Sequence, residues 1–123
     1  MSTINEESII KSIRKLIGPE DDYTHFDPDI AIHINAAINR LYQLGIESAK
    51  SFQVTDVSDT WDDLFGDTEG LDEIANTCKT FIYYKVKMGF DPPSSSIASN
   101  AIDKEIDKQE WLITVWADSH KES

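Results

Sequence analysis

The sequence predicts an all-α fold, a small four-helix bundle with a long, partly structured acidic loop between helices two and three. Three observations support this. Apolar residues recur at helical spacing in four segments, glycine and proline separate the segments, and one long stretch lacks any sustained period. The predicted helices cover residues 4–17, 28–44, 71–88 and 96–117, and the predicted loop covers residues 46–70. We expect the 123 residues to form one domain.

The first predicted helix has signals at both ends. Thr3 and Glu6 match the capping-box pattern, in which each side chain accepts a backbone hydrogen bond of the first turn. Gly18 followed by Pro19 marks the end, because glycine accepts the left-handed conformation and proline cannot continue the helix. The apolar stripe consists of Ile9, Ile10, Ile13, Leu16 and Ile17.

The second helix has the strongest boundaries in the chain. Asp27 is the expected N-cap, Pro28 suits the first helical position, and Gly45 is the expected stop. We expect this helix to be central, since it has the longest regular stripe: Ile30, Ile34, Ala37, Ile38, Leu41 and Leu44.

The acidic loop that follows carries several apolar residues. Phe52 and Val54 alternate with polar residues, which predicts a short strand. Asp59 is the expected cap of a single helical turn that carries Trp61, Leu64 and Phe65. A connection of about 25 residues is long for a compact domain, and its aromatic content favours a functional loop.

The third and fourth helices flank a turn with two adjacent prolines, Pro92 and Pro93. Gly89 is the expected stop of the third helix, and the serines after the prolines are expected caps for the fourth. The fourth helix would reach roughly 30 Å, so it must cross the molecule or project from it. Its broad apolar end is either an interface or a place where Trp111 and Trp116 cap the core.

Composition and charge narrow the class of protein. The chain has 23 acidic and 11 basic residues and a net charge of −12, which argues against binding of nucleic acid or anionic membranes. A hydrophobic fraction of 40% with three Trp indicates a folded core. One cysteine excludes an internal disulfide, and no signal peptide or membrane-spanning run is visible. We therefore expect a protein made in a cytoplasm and independent of membranes.

The sequence offers no catalytic, metal or cofactor motif. The calcium-loop pattern fails from Asp59 and from Asp63, because Trp61 and Phe65 then fall on ligand positions. We expect no cofactor and no enzyme activity; an enzyme whose site is assembled from distant residues is the weaker alternative. The acids are instead predicted to form a solvated acidic face: Asp56, Asp59, Asp62, Asp63, Asp67 and Glu69.

Because no catalytic or metal-binding motif is found, the sequence favours the hypothesis of an interaction protein. Large apolar side chains at the edge of a small domain usually mark a partner surface. The candidates, three in the loop and three near the C-terminus, are Phe52, Trp61, Phe65, Trp111, Val115 and Trp116.

Several stretches resemble a known family. The run YYKVKMGFDPPS over residues 83–94 is followed by a helix that carries Ile102, Ile106 and the pair Glu110 and Trp111. The second helix contains the run INAAINRL over residues 34–41. Together with the opening helix and the long loop, these features resemble the head-tail connector proteins of tailed bacteriophages, also called head-completion or adaptor proteins. The resemblance covers nearly the whole chain, and the turn GFDPPS is its most specific part.

The resemblance implies a structural virion protein at the head-tail junction, made in the host bacterial cytoplasm. Such proteins form a ring of about a dozen identical subunits that attaches to the portal, extends the DNA channel and meets a tail-side or stopper protein. It implies that the turn over residues 89–94 orients the last two helices, that the helix end with Trp116 lies near the portal, and that the loop faces a neighbouring subunit or the next component. DNA would pass without specific binding, since acidic walls offer no Lys or Arg that could release the counterions condensed on the DNA phosphates.

A second class of function is open on the sequence alone. A folded domain with a net charge of −12 also suits an acidic DNA mimic, or another interaction protein, that inhibits a basic nucleic-acid-binding partner.

Overall fold

The computed structural model describes residues 7–17, 26–66 and 70–120. Its helices are α1 (Ile9–Ile17), α2 (Asp27–Leu44), α3 (Trp61–Phe65), α4 (Ala75–Phe90) and α5 (Ser96–Ser119), with 3-10 turns at Glu47–Ala49 and Leu71–Glu73. The all-α prediction is confirmed, and α1, α2, α4 and α5 correspond to the four predicted helices. No helix in the described ranges combines the length and hydropathy needed to cross a bilayer.

Helices α2 and α4 form the centre of the bundle. They pack along each other, and both α1 and α5 pack against the two of them. Five apolar side chains of α2 are completely buried at helical spacing, and α4 buries Phe81, Ile82 and Val86 against them. The cluster of buried residues draws on every helix, so burial of these apolar stripes is what holds the bundle together.

The start of α2 differs from the sequence prediction. Asp27 lies inside the first turn, the N-cap position is Phe26, and no side chain caps it. The Asp27 carboxylate instead accepts from Nη1 of Arg14 on α1, at 2.7 and 2.8 Å. Asp27 as N-cap is therefore wrong, because this ion pair takes its side chain away from the helix end.

Two glycines at predicted helix ends have different roles. Gly45 ends α2 as predicted, with φ +115° and its N–H 3.0 Å from the carbonyl oxygen of Tyr42. Gly89 lies within α4, which continues to Phe90, so the predicted stop at Gly89 is wrong. A Cβ at Gly89 would lie 2.5 Å from Nδ1 of His33, so the glycine there permits a close approach of α2 to α4.

Two further local expectations in the loop are wrong. Val54 belongs to no strand; its backbone N–H and carbonyl pair with the side-chain amide of Asn35, at 2.7 and 3.0 Å. Thr60 rather than Asp59 caps α3, in a capping box with Asp63. The third predicted helix begins with the 3-10 turn at Leu71–Glu73, and α4 itself begins at Ala75.

Helix α5 begins as predicted after the paired prolines. The Ser95 hydroxyl accepts from the N–H of Ala98 at 3.0 Å and caps the helix. The predicted signals at Thr3, Glu6, Gly18 and Pro19 lie outside the described residues.

Candidate interaction surfaces

Metal-ligating side chains are scattered over the described ranges, and the cysteine there lies in the core. No group of three or more His, Cys, Asp or Glu residues is placed to hold a metal ion in this part of the chain. Cys78 is buried in the core, and desolvation raises the pKa of its thiol to about 12. A thiol with that pKa stays protonated at neutral pH and packs as a small apolar side chain.

The acidic segment, defined here as residues 55–63, is held in a fixed shape by its own carboxylates. Asp59 accepts from the backbone N–H groups of Thr55 and Asp56, at 2.7 and 3.2 Å. Asp56 accepts from the N–H and the hydroxyl of Ser58, and these hydrogen bonds, the hydroxyl first, lower the pKa of the Asp56 carboxyl. The Asp56 carboxylate therefore stays ionised while it orders the backbone around Ser58.

The acidic segment is attached to α1. The N–H of Ile9 donates to the carbonyl of Asp59 at 2.9 Å, and the N–H of Trp61 donates to the carbonyl of Glu7 at 3.2 Å. Asp56, Asp62 and other side chains of the segment nevertheless remain exposed. The structure thus presents a fixed acidic surface beside α1. Asp67 and Glu69, the other two predicted members of the acidic face, lie outside the described residues.

The loop aromatics pack inward. Trp61 and Phe65 are 2% and 3% exposed, and their rings stack with centroids 6.1 Å apart. The indole N–H of Trp61 donates to Oγ of Ser12 at 3.2 Å. Phe52 is half-buried against the same core. Trp61 and Phe65 therefore pack in the core of the monomer and leave little side-chain surface for a partner, whereas Phe52 stays partly exposed.

The two tryptophans of α5 have separate environments. Trp116 is half-buried against the core, donates from its indole N–H to Oε1 of Glu73 at 3.2 Å, and stacks on His120 with centroids 4.2 Å apart. Trp111 is 64% exposed, and Val115 is 46% exposed. Of the two alternatives for the helix end, core capping applies to Trp116 and surface exposure to Trp111.

Trp111 and Val115 belong to a longer exposed row, which we call the outer stripe of α5. Its members follow steps of four and three residues along the helix, and all are exposed: Ile97, Ala101, Lys104, Lys108, Trp111 and Val115. At 3.6 residues per turn these steps keep the six residues on one face, and Gln109, Ile113 and Ala117 are buried on the opposite face.

The sequence reading missed Ile97, Lys104 and Lys108 as part of this surface. The signal was present as a second row of three- and four-residue steps beside the core-facing row with Ile106 and Ile113. Two lysines interrupt the apolar residues of this second row, which is why hydrophobic spacing alone did not reveal it.

An ion pair fixes the rotation of α5 against α2. Arg40 donates from Nε and Nη2 to the two carboxylate oxygens of Glu110, both at 3.0 Å. Hydrogen bonding to the Arg40 guanidinium lowers the pKa of the Glu110 carboxyl, and the same bond raises the pKa of Arg40. This bidentate contact holds the outer stripe away from the core.

The outer stripe and the acidic segment lie on different sides of the bundle. On α2, Asn35 contacts the loop just before the acidic segment, and Arg40 contacts α5. Five residues correspond to about 140° around a helix axis, so these two contacts leave α2 in widely different directions. Each molecule therefore carries two distinct surfaces, one acidic and one with apolar and basic side chains.

Comparison with known proteins identifies a family. A family model described as phage connector protein matches residues 9–120, a span that includes every helix of the structure. No curated protein and no solved structure matches. The comparisons give no support to the alternative of an acidic DNA mimic.

Proposed function

The chain belongs to the phage connector protein family, a family of structural head-tail connector proteins, and we propose that its copies form a closed ring in the virion. In this proposal about a dozen identical subunits surround the DNA channel at the head-tail junction. The observation that carries the proposal is the family match over residues 9–120, because it spans the whole bundle.

The exposed surfaces of the described chain suit such an assembly. A closed ring of identical subunits needs head-to-tail contacts, in which each subunit presents two different patches. Trp111 and Val115 are large apolar side chains exposed on α5, whereas the acidic segment lies beside α1 on another side of the bundle. The two surfaces therefore fit the requirement for unlike patches.

The ring is proposed to attach to the portal and to extend its channel towards the tail. The C-terminal end of α5, near Trp116, is the proposed region of portal contact, and a tail-side or stopper protein is the proposed partner at the other end. The proposal carries over the arrangement implied by the family, and the contact of Trp116 with Glu73 supports it by fixing that helix end.

The acidity of the chain is proposed to let DNA pass. With 23 acidic and 11 basic residues, the subunit offers few cations that could displace the counterions condensed on the DNA phosphates. A channel wall made of such subunits repels the phosphate backbone and gives the duplex no binding site along its path.

Co-sedimentation with purified portal rings tests the proposal. The protein is expected to sediment with the portal in a complex whose excess mass corresponds to a ring, while linear duplex DNA at the same salt concentration retains none of it. A basic control protein that binds DNA in the same buffer verifies that the DNA assay works. Protein that remains in the supernatant with the portal, or that sediments with DNA, would contradict the proposal.

A further inference from the structure

We propose that the outer stripe of α5 is the docking surface for a second copy of this chain and receives that copy's acidic segment. The inference rests on the proposed ring and assigns its subunit-subunit contact. It uses the acidic segment as a face that meets a neighbouring subunit rather than as a channel wall.

The first argument is the charge of the outer stripe. Lys104 and Lys108 are one helical turn apart on its exposed face, and no carboxylate of the described ranges lies within salt-bridge distance of either ammonium group. Asp103 and Asp107 border the stripe on one side of the helix. In a chain with a net charge of −12, an outward pair of lysines that the fold leaves without a salt bridge can pair with an acidic partner, and on α5 this pair continues into the exposed side chain of Trp111.

The second argument is that a second copy supplies such a partner in a fixed conformation. Asp56 and Asp62 are exposed in the acidic segment, whose backbone is already ordered by the hydrogen bonds of Asp59 and by the capping box of Thr60. A preordered segment loses little conformational entropy on binding, so its carboxylates reach the lysines at low cost.

The third argument is that both surfaces combine charge with apolar area. On α5, Trp111 and Val115 continue the stripe directly after Lys108 and are 64% and 46% exposed. In the acidic segment, Val57 follows Asp56 and is 38% exposed. A contact that joins lysines to carboxylates therefore also brings exposed apolar side chains together, as interface cores require.

The fourth argument is the placement of the two surfaces. The acidic segment is hydrogen-bonded to α1. On α2, Asn35 contacts the loop just before this segment and Arg40 contacts α5, and these two side chains point about 140° apart around the helix axis. Within the described ranges the lysines of the stripe make no salt bridge with the segment of their own subunit, whereas a chain of subunits can join stripe to segment repeatedly. Contacts between two different patches generate a closed ring when the rotations from each subunit to the next add up to a full turn.

Charge reversal in two complementary variants tests this assignment. One variant carries Lys104→Glu with Lys108→Glu, and the other carries Asp62→Lys, a change at an exposed position outside the capping box. Assembly of the full-length chain, with portal present where the wild-type protein needs it, is followed by native mass spectrometry. Each variant alone is expected to need at least about tenfold more protein for half-assembly. The stripe variant sets glutamates against the acidic segment, and Asp62→Lys sets a lysine against Lys104 and Lys108 and lowers the negative charge of the segment.

A mixture of the two variants in equal amounts is the decisive arm. In alternating rings the new lysine at position 62 meets the glutamates of the reversed stripe, and the unchanged stripe meets the unchanged segment. Rings of the mixture are therefore expected at a lower protein concentration than either variant needs alone. The matched control is Lys11→Glu with Lys15→Glu, which reverses two exposed lysines one turn apart on α1 and makes the same change in net charge. That control is expected to assemble like the wild-type protein.

The outcomes separate the assignment from the proposed ring. If the wild-type protein forms rings and the stripe variant alone also assembles normally, the assignment is wrong but the proposed ring is still supported. The same conclusion follows if the mixture of the two variants fails to assemble. The same is true if the stripe variants form rings but lose portal binding, or if the lysines prove to hold duplex DNA. Wild-type protein that stays monomeric with and without portal would overturn both.

Discussion

Arg14 on α1 and Asp27 on α2 form an ion pair in which Nη1 lies 2.7 and 2.8 Å from the two carboxylate oxygens. Arg14 is only 4% exposed, so a cation of the first helix is held inside the bundle against the first turn of the second. This contact fixes how α1 meets the central helices, and the acidic segment is in turn bonded to α1. The ion pair therefore supports the position of one of the two proposed contact surfaces.

Replacing Asp27 by Ala is expected to lower the free energy of unfolding by about 2 kcal/mol, because the charge-assisted hydrogen bonds from Nη1 of Arg14 to this carboxylate are lost. Asp29→Ala is the control, since Asp29 is exposed in the same helical turn and its loss costs about 0.5 kcal/mol through the helix dipole. Urea denaturation at neutral pH measures both. Equal effects of the two substitutions would refute a special role for the ion pair.

Gly89→Ala is expected to destabilise the protein by about 1–3 kcal/mol, because the new Cβ would lie 2.5 Å from Nδ1 of His33. In an open helix the same change would stabilise. Thermal unfolding of Gly89→Ala, His33→Ala and the double variant measures the coupling. The double variant should be much less destabilised than the sum of the two single variants, and simple additivity would show that His33 is not the obstacle.

Trp61 and Trp111 are expected to respond oppositely to replacement by Ala. Trp61 is 2% exposed, so its loss should lower the free energy of unfolding by about 4 kcal/mol. Trp111 is 64% exposed, so its loss should change stability by less than about 0.5 kcal/mol while weakening assembly. Denaturation of the monomer and native mass of the assembly separate the two effects. Full assembly of the Trp111→Ala variant would argue against the outer stripe as an interface.

The Arg40–Glu110 ion pair is expected to contribute to stability above pH 4.5 and to lose its contribution in acid. Hydrogen bonding to Arg40 lowers the pKa of Glu110 in the folded protein from 4.5, so the stabilisation is complete above the unfolded value and disappears as pH falls through the folded one. Because Arg40 is 42% exposed, we expect less than about 1 kcal/mol.

Denaturation of Glu110→Gln and of the wild-type protein between pH 3 and pH 7, a range that brackets the ordinary carboxyl pKa, measures this contribution. The stability difference should shrink as pH falls below 4.5. Asp107→Asn is the control, since it removes a carboxylate from the same helix without removing the partner of Arg40. A difference between Glu110→Gln and wild type that is constant across the range would contradict the account.

Helical spacing predicted the bundle because burial of apolar stripes determines it, and the apolar positions of α2 are visible in the sequence. The N-cap of α2 and the conformation of the loop at Val54 were harder to predict, since they depend on partners distant in sequence. Asp27 pairs with Arg14, and Asn35 pairs with the backbone of Val54. The sequence predicts a helix stop at Gly89 because it does not show that His33 packs against this glycine. The acidic segment was recognised by composition, but the inward packing of Trp61 and Phe65 depends on their tertiary contacts.

The mass of the wild-type protein bound to purified portal rings, measured by native mass spectrometry, tests the central claim most directly. The account predicts one stoichiometric complex in which about a dozen copies form a closed ring on each portal. Protein that remains monomeric, alone and with the portal at every concentration reached, would contradict it.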